Sequence, residues 1–163
     1  LDATPMWHDR GDGSSKPVGA IQYFGKPAPA LAKLDQESTP WPKDTANTAF
    51  KAKGYILDEN DAPTFRYISM GMAVVDKTRP IEKGQGFIRE ISVQNPQPSL
   101  YFKLASAKTI EKVNDWLYMI DDKSYYLQID KSSGSSPLLR DGSDGQKELL
   151  LPVKNKITYT ILF

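Results

Sequence analysis

The stretch that decides the fold is ITYTILF, residues 157–163, in which apolar and polar side chains alternate. The apolar set, two residues apart, is Ile157, Tyr159, Ile161 and Phe163. Threonines occupy the positions between, at 158 and 160. Successive side chains of a β-strand point to opposite faces, so this spacing predicts a strand with one apolar face and one wet face.

The same period of two recurs upstream, in residues 99–106 and 124–130. Turn-forming sequences such as Asn95-Pro96 separate the runs at short intervals, which predicts antiparallel connections. Residues 105–113 alone could be argued helical, and their β-branched side chains favour a strand. Roughly ten short strands are too many for one flat sheet of this length. The sequence therefore predicts an all-β, antiparallel two-sheet sandwich of jelly-roll-like type.

Residues 1–49 differ in composition from residues 50–163, because they hold six of the 12 prolines. Such proline density excludes long helices and predicts an extended arm, with one short strand at residues 20–24. The alternative is a linker from an upstream domain. The aromatic side chains favour an arm packed on the body, because a solvated linker seldom carries so much apolar surface. These side chains are Trp7, Tyr23, Phe24 and Trp41. We therefore expect a proline-rich arm over 1–49 and a β-sandwich domain over 50–163.

Composition excludes several classes of chemistry. Lysine plus arginine number 21 and aspartate plus glutamate 20, so a net charge of +1 predicts no nucleic-acid partner. The chain has no cysteine, which excludes disulfides, thiol nucleophiles, cysteine zinc sites and covalent c-type haem attachment. No apolar run approaches the roughly 18 residues of a membrane helix. The chain begins at Leu1 without a signal-peptide pattern, and we expect it to be a fragment of something longer.

Candidate catalytic and metal-binding residues each have a simpler interpretation. His8, the single histidine, is followed by Asp9, which could orient it as a general base, but no partner network is visible. Haem ligation by His8 and a methionine would lack the Cys-x-x-Cys-His motif. The acidic clusters at 58–61 and 141–144 invite a calcium interpretation, and hairpin-turn chemistry explains both. We predict no cofactor, no metal and no catalytic residue.

Aromatic side chains are the surplus of this composition, with 3 Trp, 8 Tyr and 6 Phe. An exposed row of rings would bind sugar faces or a partner protein, since flat apolar rings with polar edges recognise both. The alternative is that each ring fills the core. The predicted ligand-binding candidates are Trp116, Tyr118, Tyr126, Tyr101 and Trp41.

Several segments of the sequence resemble parts of a known group of proteins. The segment FKAKGYILDE (residues 50–59), continuing through PTFRY (residues 63–67), resembles a passage of multidomain secreted bacterial proteins. These proteins, of the Bacteroidetes and Planctomycetes type, join sorbosone or glucose dehydrogenase-like propellers to c-type cytochrome domains. KELLLPV (residues 147–153) and WHDRG (residues 7–11) are similar to other parts of the same region. The resemblance implies an accessory β domain, because the haem motif and the length of a propeller are both absent here.

The expected function is therefore that of a non-catalytic accessory module of a larger exported protein, periplasmic or extracellular. Its expected partners are carbohydrate or a neighbouring sugar-oxidising or sugar-degrading catalytic domain, with no membrane span. The alternative is a small carboxylate-dependent glycoside hydrolase or lyase that uses Asp9, Glu90 or Glu111. That alternative requires at least two of these acids to converge within about 5 to 10 Å.

Overall fold

A computed structural model describes residues 22–25, 28–81, 84–142 and 144–163 of the chain. Within these residues the regular structure is almost entirely β, with one short 3-10 helix, η1. The elements in chain order are β1 (Leu31–Lys33), β2 (Lys51–Leu57), β3 (Pro63–Ser69), β4 (Met72–Pro80), β5 (Gly86–Val93), β6 (Leu100–Ala107), β7 (Ile110–Lys112), β8 (Leu117–Ile120), β9 (Tyr125–Ile129), η1 (Lys131–Ser133), β10 (Leu138–Asp141), β11 (Lys147–Pro152) and β12 (Lys156–Leu162). None of the described residues forms a helix long and apolar enough to cross a membrane.

The strands form two antiparallel sheets of unequal size. The larger sheet has eight strands in the order β2-β3-β4-β5-β12-β9-β8-β7, and β12 pairs with β5 and β9 near its middle. The smaller sheet has four strands in the order β1-β6-β11-β10. The predicted antiparallel two-sheet sandwich is confirmed, and so is strand rather than helix in residues 105–113.

The core lies between the sheets. Ile91 and Ile157 stand opposite each other on β5 and β12, and both are fully buried. From the smaller sheet, Phe102 and Leu149 are buried to the same extent and belong to the same apolar cluster. Of the apolar set in ITYTILF, Ile157 and Tyr159 are buried in this cluster, as their spacing predicts, and Ile161 packs against it half-buried. Phe163, predicted on the same face, follows the end of β12 and is 48% exposed.

Two local expectations differ from the structure. Thr158, predicted on a wet face, is buried because η1 covers it, and its backbone N–H donates to the Ser133 hydroxyl over 3.1 Å. The predicted strand at 20–24 is absent over Gln22–Phe24, which are not in a regular element. Residues 20 and 21 lie outside the described residues.

Residues 28–49 lie against both sheets. β1 pairs with β6, placing Leu31 opposite Phe102. Further along, the Thr48 carbonyl accepts a hydrogen bond of 2.5 Å from Met70 N–H in the turn between β3 and β4. This segment therefore connects the edge of the smaller sheet to the β3–β4 turn of the larger one. The domain boundary at 49/50 stays a prediction, because residues 1–21 are outside the described part.

Candidate functional site

Two of the five predicted ligand-binding rings are buried, so the expectation that they lie at the surface is wrong. Trp41 is 6% exposed and donates its indole N–H to the Pro29 carbonyl over 2.8 Å. The Lys103 ammonium lies 4.9 Å from the centre of its ring. Trp41 thus fastens residues 28–49 to the outer face of the smaller sheet. Tyr118 is 3% exposed because β8 turns it toward the core.

The other three predicted rings are half-buried and do not form one row. Tyr101, on β6, packs against the small apolar cluster that contains Trp41. Tyr126 lies on β9, where it pairs with Met119. Trp116 immediately precedes β8. The five rings are therefore distributed over both sheets.

The structure does bring Trp116 and Tyr118 together, in a pocket of about 280 Å³ that we call the Trp116 pocket. Its other lining residues are Lys112, Asp115, Ser136 and Pro137. The Asn114 carboxamide oxygen accepts hydrogen bonds from the N–H groups of Trp116 and Leu117, which holds the turn in place.

The polar groups of the Trp116 pocket are an ion pair and a phenol. Lys112 and Asp115 pair at 2.8 Å, so the pocket carries both charges and no net charge. Burial raises the pKa of Tyr118, which lines the same pocket. An indole ring beside a phenol and a carboxylate is suited to a neutral polyol.

An exposed aromatic surface lies elsewhere, on the β2–β3 hairpin, where Phe50, Tyr55 and Phe65 are exposed and Tyr67 is half-buried. Two ring pairs occupy it, Phe50 with Tyr67 and Tyr55 with Phe65, at centroid distances of 5.5 and 5.8 Å. Strand register places Tyr55 opposite Phe65, Phe65 opposite Asp76, and Asp76 opposite the core residue Ile91. The rings therefore lie on the same face of the sheet as the core. We call these four rings the hairpin face.

The hairpin face is exposed because it extends beyond the cover of the smaller sheet. Every residue of β2 is exposed, and β2 forms one edge of the larger sheet. Exposure rises along one row of paired residues, from 0% at Ile91 through 7% at Asp76 to 48% at Phe65 and 61% at Tyr55. The opposite side of the hairpin is also partly apolar, since Ile56 is 51% exposed. This hairpin therefore presents apolar groups to solvent on both faces.

An ion pair between Arg89 and Asp76 lies at the edge of the core, next to the hairpin face. Arg89 donates to both carboxylate oxygens of Asp76, over 2.9 and 2.5 Å, and to the Tyr159 hydroxyl over 3.2 Å. Its guanidinium carbon lies 5.4 Å from the centre of the Phe102 ring. Burial disfavours the charged guanidinium, but the bonds to Asp76 and Tyr159 outweigh burial and raise the pKa of Arg89. The group is structural, because its donors and acceptors are used within the fold.

A pocket of about 360 Å³ adjoins the hairpin face at the end where β2 begins, and we call it the Thr48 pocket. One wall is formed by Phe50, Tyr67 and Ser69 of the hairpin region. The other is formed by residues 28–31 and 43–48. Burial raises the pKa of Tyr67 to about 12. The lining is mainly apolar, with polar groups from residues 43–48 at its rim.

The charges around the hairpin are unevenly distributed. Four cations of the hairpin and the segment before it have no ion pair with a described residue: Lys43, which lines the Thr48 pocket, and Lys51, Lys53 and Arg66, which do not line it. The turn at the opposite end carries Asp58, Glu59 and Asp61. Of these, Asp58 pairs with Arg79 at 2.8 Å and accepts hydrogen bonds from Asn60 and Ala62 N–H. The acidic cluster is thus a hairpin turn, as its composition predicts.

The acids proposed for hydrolysis do not come together where the structure describes them. Glu90 lies on β5 and pairs with Lys156, whereas Glu111 lies exposed on β7. Four inter-strand spacings, roughly 19 Å, separate those strands in the sheet. Asp9 and His8 lie outside the described residues. Among those that are described, no three histidine, cysteine, aspartate or glutamate residues form a group that could hold a metal.

The sequence predicts a hairpin turn at residues 58–61, but Tyr55, Phe65 and Tyr67 on either side of it were not predicted as a binding surface. The signal was the run Tyr55-Ile56-Leu57, three consecutive apolar residues in a strand. Because adjacent strand residues face opposite sides, such a run places apolar side chains on both faces of the strand.

Comparison of the chain with protein-family models, with curated proteins and with solved structures gives no match in any of the three. The resemblance to the accessory domain of secreted dehydrogenase-type proteins therefore stays a prediction.

Proposed function

We propose that this chain is a non-catalytic accessory β-sandwich module of a larger exported protein, and that it docks on a neighbouring catalytic domain through the β2–β3 hairpin. The observation that carries the proposal is the exposure of apolar side chains on both faces of an edge hairpin. An uncovered apolar edge is an aggregation liability, and large exposed apolar patches mark contact sites. A neighbouring domain that covers the hairpin removes that liability.

Ring geometry favours a protein surface over a saccharide at this position. The Tyr55 and Phe65 planes are inclined by 55°, and those of Phe50 and Tyr67 by 38°. The rings therefore do not form one flat platform on which sugar faces would stack. Inclined rings with aliphatic neighbours instead suit interdigitation with side chains. The predicted resemblance names the kind of neighbour, a sugar-oxidising or sugar-degrading domain in the periplasm or outside the cell.

Hydroxyl-radical footprinting tests the docking proposal. The 163-residue chain is compared with the protein encoded by the complete reading frame, and oxidation of Tyr55 and Phe65 is quantified. We expect oxidation of both rings to fall severalfold in the longer protein. Val113 is the control, because it is 55% exposed at the far side of the larger sheet, and its oxidation should not change. Equal oxidation of Tyr55 and Phe65 in the two proteins, or a reading frame without a second folded domain, would overturn the proposal.

Carbohydrate binding is a second candidate function, and the Trp116 pocket favours it. Its indole ring, the Tyr118 phenol and the Asp115 carboxylate match the apolar face and hydroxyl groups of a neutral sugar. One small pocket supports only weak binding, with a Kd near about 1 mM.

Saturation-transfer NMR tests this candidate with glucose, xylose, mannose and their short oligomers as probes. Trp116→Ala should abolish the transfer, whereas Tyr126→Ala, a ring outside the pocket, should leave it intact. Absence of transfer from every probe would remove carbohydrate binding at this site.

The carboxylate-dependent hydrolase is not favoured, because Glu90 and Glu111 lie on strands far apart.

A further inference from the structure

We propose that the outer face of the larger sheet, the side turned away from the core, binds an acidic polysaccharide. The binding groups are four cations that we call the basic face: Lys51, Arg66, Lys77 and Lys156. The proposal goes beyond the docking function and does not depend on it, because the rings of the hairpin face lie on the opposite side of the same sheet.

Strand register places Arg66 and Lys77 side by side on the outer face. Arg66 follows Phe65, and Lys77 follows Asp76, in the row of paired residues that leads to the core. Because successive side chains of a strand alternate between faces, Arg66 and Lys77 point away from the core. Lys77 pairs with Thr64, two residues from Arg66, so the two cations are diagonal neighbours about 7–8 Å apart.

The other two cations extend this group to four strands. Lys51 of β2 pairs with Ile68, two residues beyond Arg66 on β3, and is therefore the diagonal neighbour of Arg66 on the other side. Lys156 begins β12 and precedes the buried Ile157, which turns its side chain outward. Lys51, Arg66 and Lys156 are exposed and Lys77 is half-buried.

Few acids accompany these cations. Strands β2–β5 and β12, which are described throughout, contain two acidic residues: Asp76, which points inward, and Glu90, which pairs with Lys156. The other three cations of the basic face have no ion pair with a described residue. Arg79 also points outward, but Asp58 neutralises it. Four cations against Glu90 give this face 4 − 1 = +3, whereas the whole chain carries +1.

The arrangement of the cations fits a chain of repeated anions better than one small anion. They lie on four strands of an open sheet face and do not surround a common point. A small anion would contact one or two of them, whereas an extended polyanion can pair with several. A guanidinium such as that of Arg66 can also bind a carboxylate through two parallel hydrogen bonds. Complementary charge of this kind favours association with an acidic polymer.

The neutral residues between the cations favour a carboxylated polysaccharide over a nucleic acid. Val75, 39% exposed, stands opposite Arg66 and offers an apolar surface to the C–H groups of a sugar ring. Ser92, exposed opposite Lys156, offers a hydroxyl. Bases of single-stranded nucleic acid stack on aromatic rings. The aromatic residues of β2–β5 point to the other face, and they are Tyr55, Phe65, Tyr67 and Phe87.

Isothermal titration calorimetry of the 163-residue chain tests the proposal at about 50 mM salt. The probes are hexamers of galacturonate and of mannuronate. The fully methyl-esterified galacturonate hexamer is the neutral control with the same backbone. We expect one or both acidic hexamers to bind with a Kd below about 1 mM, and the ester to bind at least about tenfold more weakly. Salt at about 300 mM should weaken the binding severalfold, because it screens exposed charges.

Matched variants locate the binding. Arg66→Gln/Lys77→Gln should lower the affinity about tenfold. The control is Lys33→Gln/Lys108→Gln, at exposed residues outside the basic face, which should leave the affinity unchanged. Both double variants change the net charge equally, to 1 − 2 = −1. Glu90→Gln removes the acid that pairs with Lys156, so it should raise the affinity severalfold. Thermal unfolding verifies that each variant is folded, and the Glu90→Gln result stands even where a double variant is not.

Several outcomes would overturn the inference. These are no binding of either acidic hexamer, equal binding of the ester, equal losses in the two double variants, or no gain in Glu90→Gln. Tighter binding of a thymidine oligonucleotide, or of phosphatidylserine vesicles, would assign the basic face to a nucleic acid or a membrane instead. Docking is judged separately by the footprint of Tyr55 and Phe65, so either proposal can fail while the other stands.

Discussion

Tyr55 and Phe65 stand directly opposite each other on β2 and β3, with ring centroids 5.8 Å apart and exposed fractions of 61% and 48%. Their neighbours along the same row of paired residues, Asp76 and Ile91, are buried. The pair therefore lies where the cover of the smaller sheet ends, and its rings contribute little to the core.

We predict that Phe65→Ser leaves the free energy of unfolding within about 1 kcal/mol of the parent, the size of one cross-strand pair. It should also lower the binding of a hydrophobic dye and the light scattering of concentrated solutions. Urea denaturation and static light scattering measure the two effects. Phe102→Ala, at a fully buried ring, is the contrast and should lose about 3–5 kcal/mol. A loss of that size in Phe65→Ser would show that the ring belongs to the core.

Glu148 holds two cations on the outer side of the smaller sheet. It is 4% exposed, and its carboxylate accepts from Arg140 over 2.7 Å and from Lys103 over 3.1 Å. Glu148→Gln leaves both cations without a counter-charge, so we expect a loss of about 3–5 kcal/mol in urea denaturation. The control is Asp141→Asn, whose exposed pair with Lys147 should contribute no more than about 1 kcal/mol. Similar losses in the two variants would contradict the assignment.

Gly86 begins β5 where no side chain fits. A Cβ atom there would lie 1.9 Å from the Ile161 carbonyl oxygen of β12, at a φ of +150°. We expect Gly86→Ala to lose more than about 4 kcal/mol or to fail to fold. Gly71→Ala has open space and only the strain of a φ of +80°, so it should lose about 1–2 kcal/mol. Thermal unfolding of the two variants checks that Gly86→Ala loses more stability than Gly71→Ala.

Burial raises the pKa of Tyr67 and of Tyr125 to about 12, above the value of 10.0 for a free phenol. The unfolded chain then loses these protons at lower pH than the folded chain. The stability that the two neutral phenols provide is complete below about pH 10 and is lost as pH rises toward 12. Urea denaturation across this range should show the decline, and Tyr67→Phe should make it shallower. Tyrosinate absorbance that is complete by pH 11 in the folded protein would contradict the shifts.

Asp58 organises the turn at the tip of the hairpin. The backbone N–H of Ala62 is the largest cause of its lowered pKa, and Asn60 N–H and Arg79 also contribute. A lowered pKa means that the carboxylate stabilises the turn above the unfolded value of 3.8 and loses that effect as pH falls below it. In Asp58→Ala, hydrogen exchange at Asn60 and Ala62 should be faster at pH 7. Unchanged exchange would show that Arg79 and the flanking strands hold the turn in place without the Asp58 carboxylate.

Much of the local structure could be predicted from the sequence. The alternation in residues 157–163 identified β12, and the acidic residues 58–61 identified the turn between β2 and β3. These features depend on neighbours in the chain, and their physical causes are side-chain alternation and turn conformations.

The candidate surface was predicted less well, because aromatic residues on strands suit a core and an exposed face equally. Trp41 and Tyr118 were predicted to lie at the surface. Trp41 is instead buried where residues 28–49 fold back on the smaller sheet, and Tyr118 is buried by the facing sheet. Tyr55 and Phe65 have the same alternation and are exposed. The difference is the extent of cover by the smaller sheet.

The sequence by itself determined the strands, their turns, the antiparallel sandwich and the absence of thiol chemistry, because these follow from residue type and period. Only the tertiary structure decided which faces are covered. An eight-stranded sheet facing a four-stranded one must leave part of its inner face open, and residues distant in sequence determine where that opening lies. The hairpin face and the Thr48 pocket therefore depend on how the two sheets and residues 28–49 pack together.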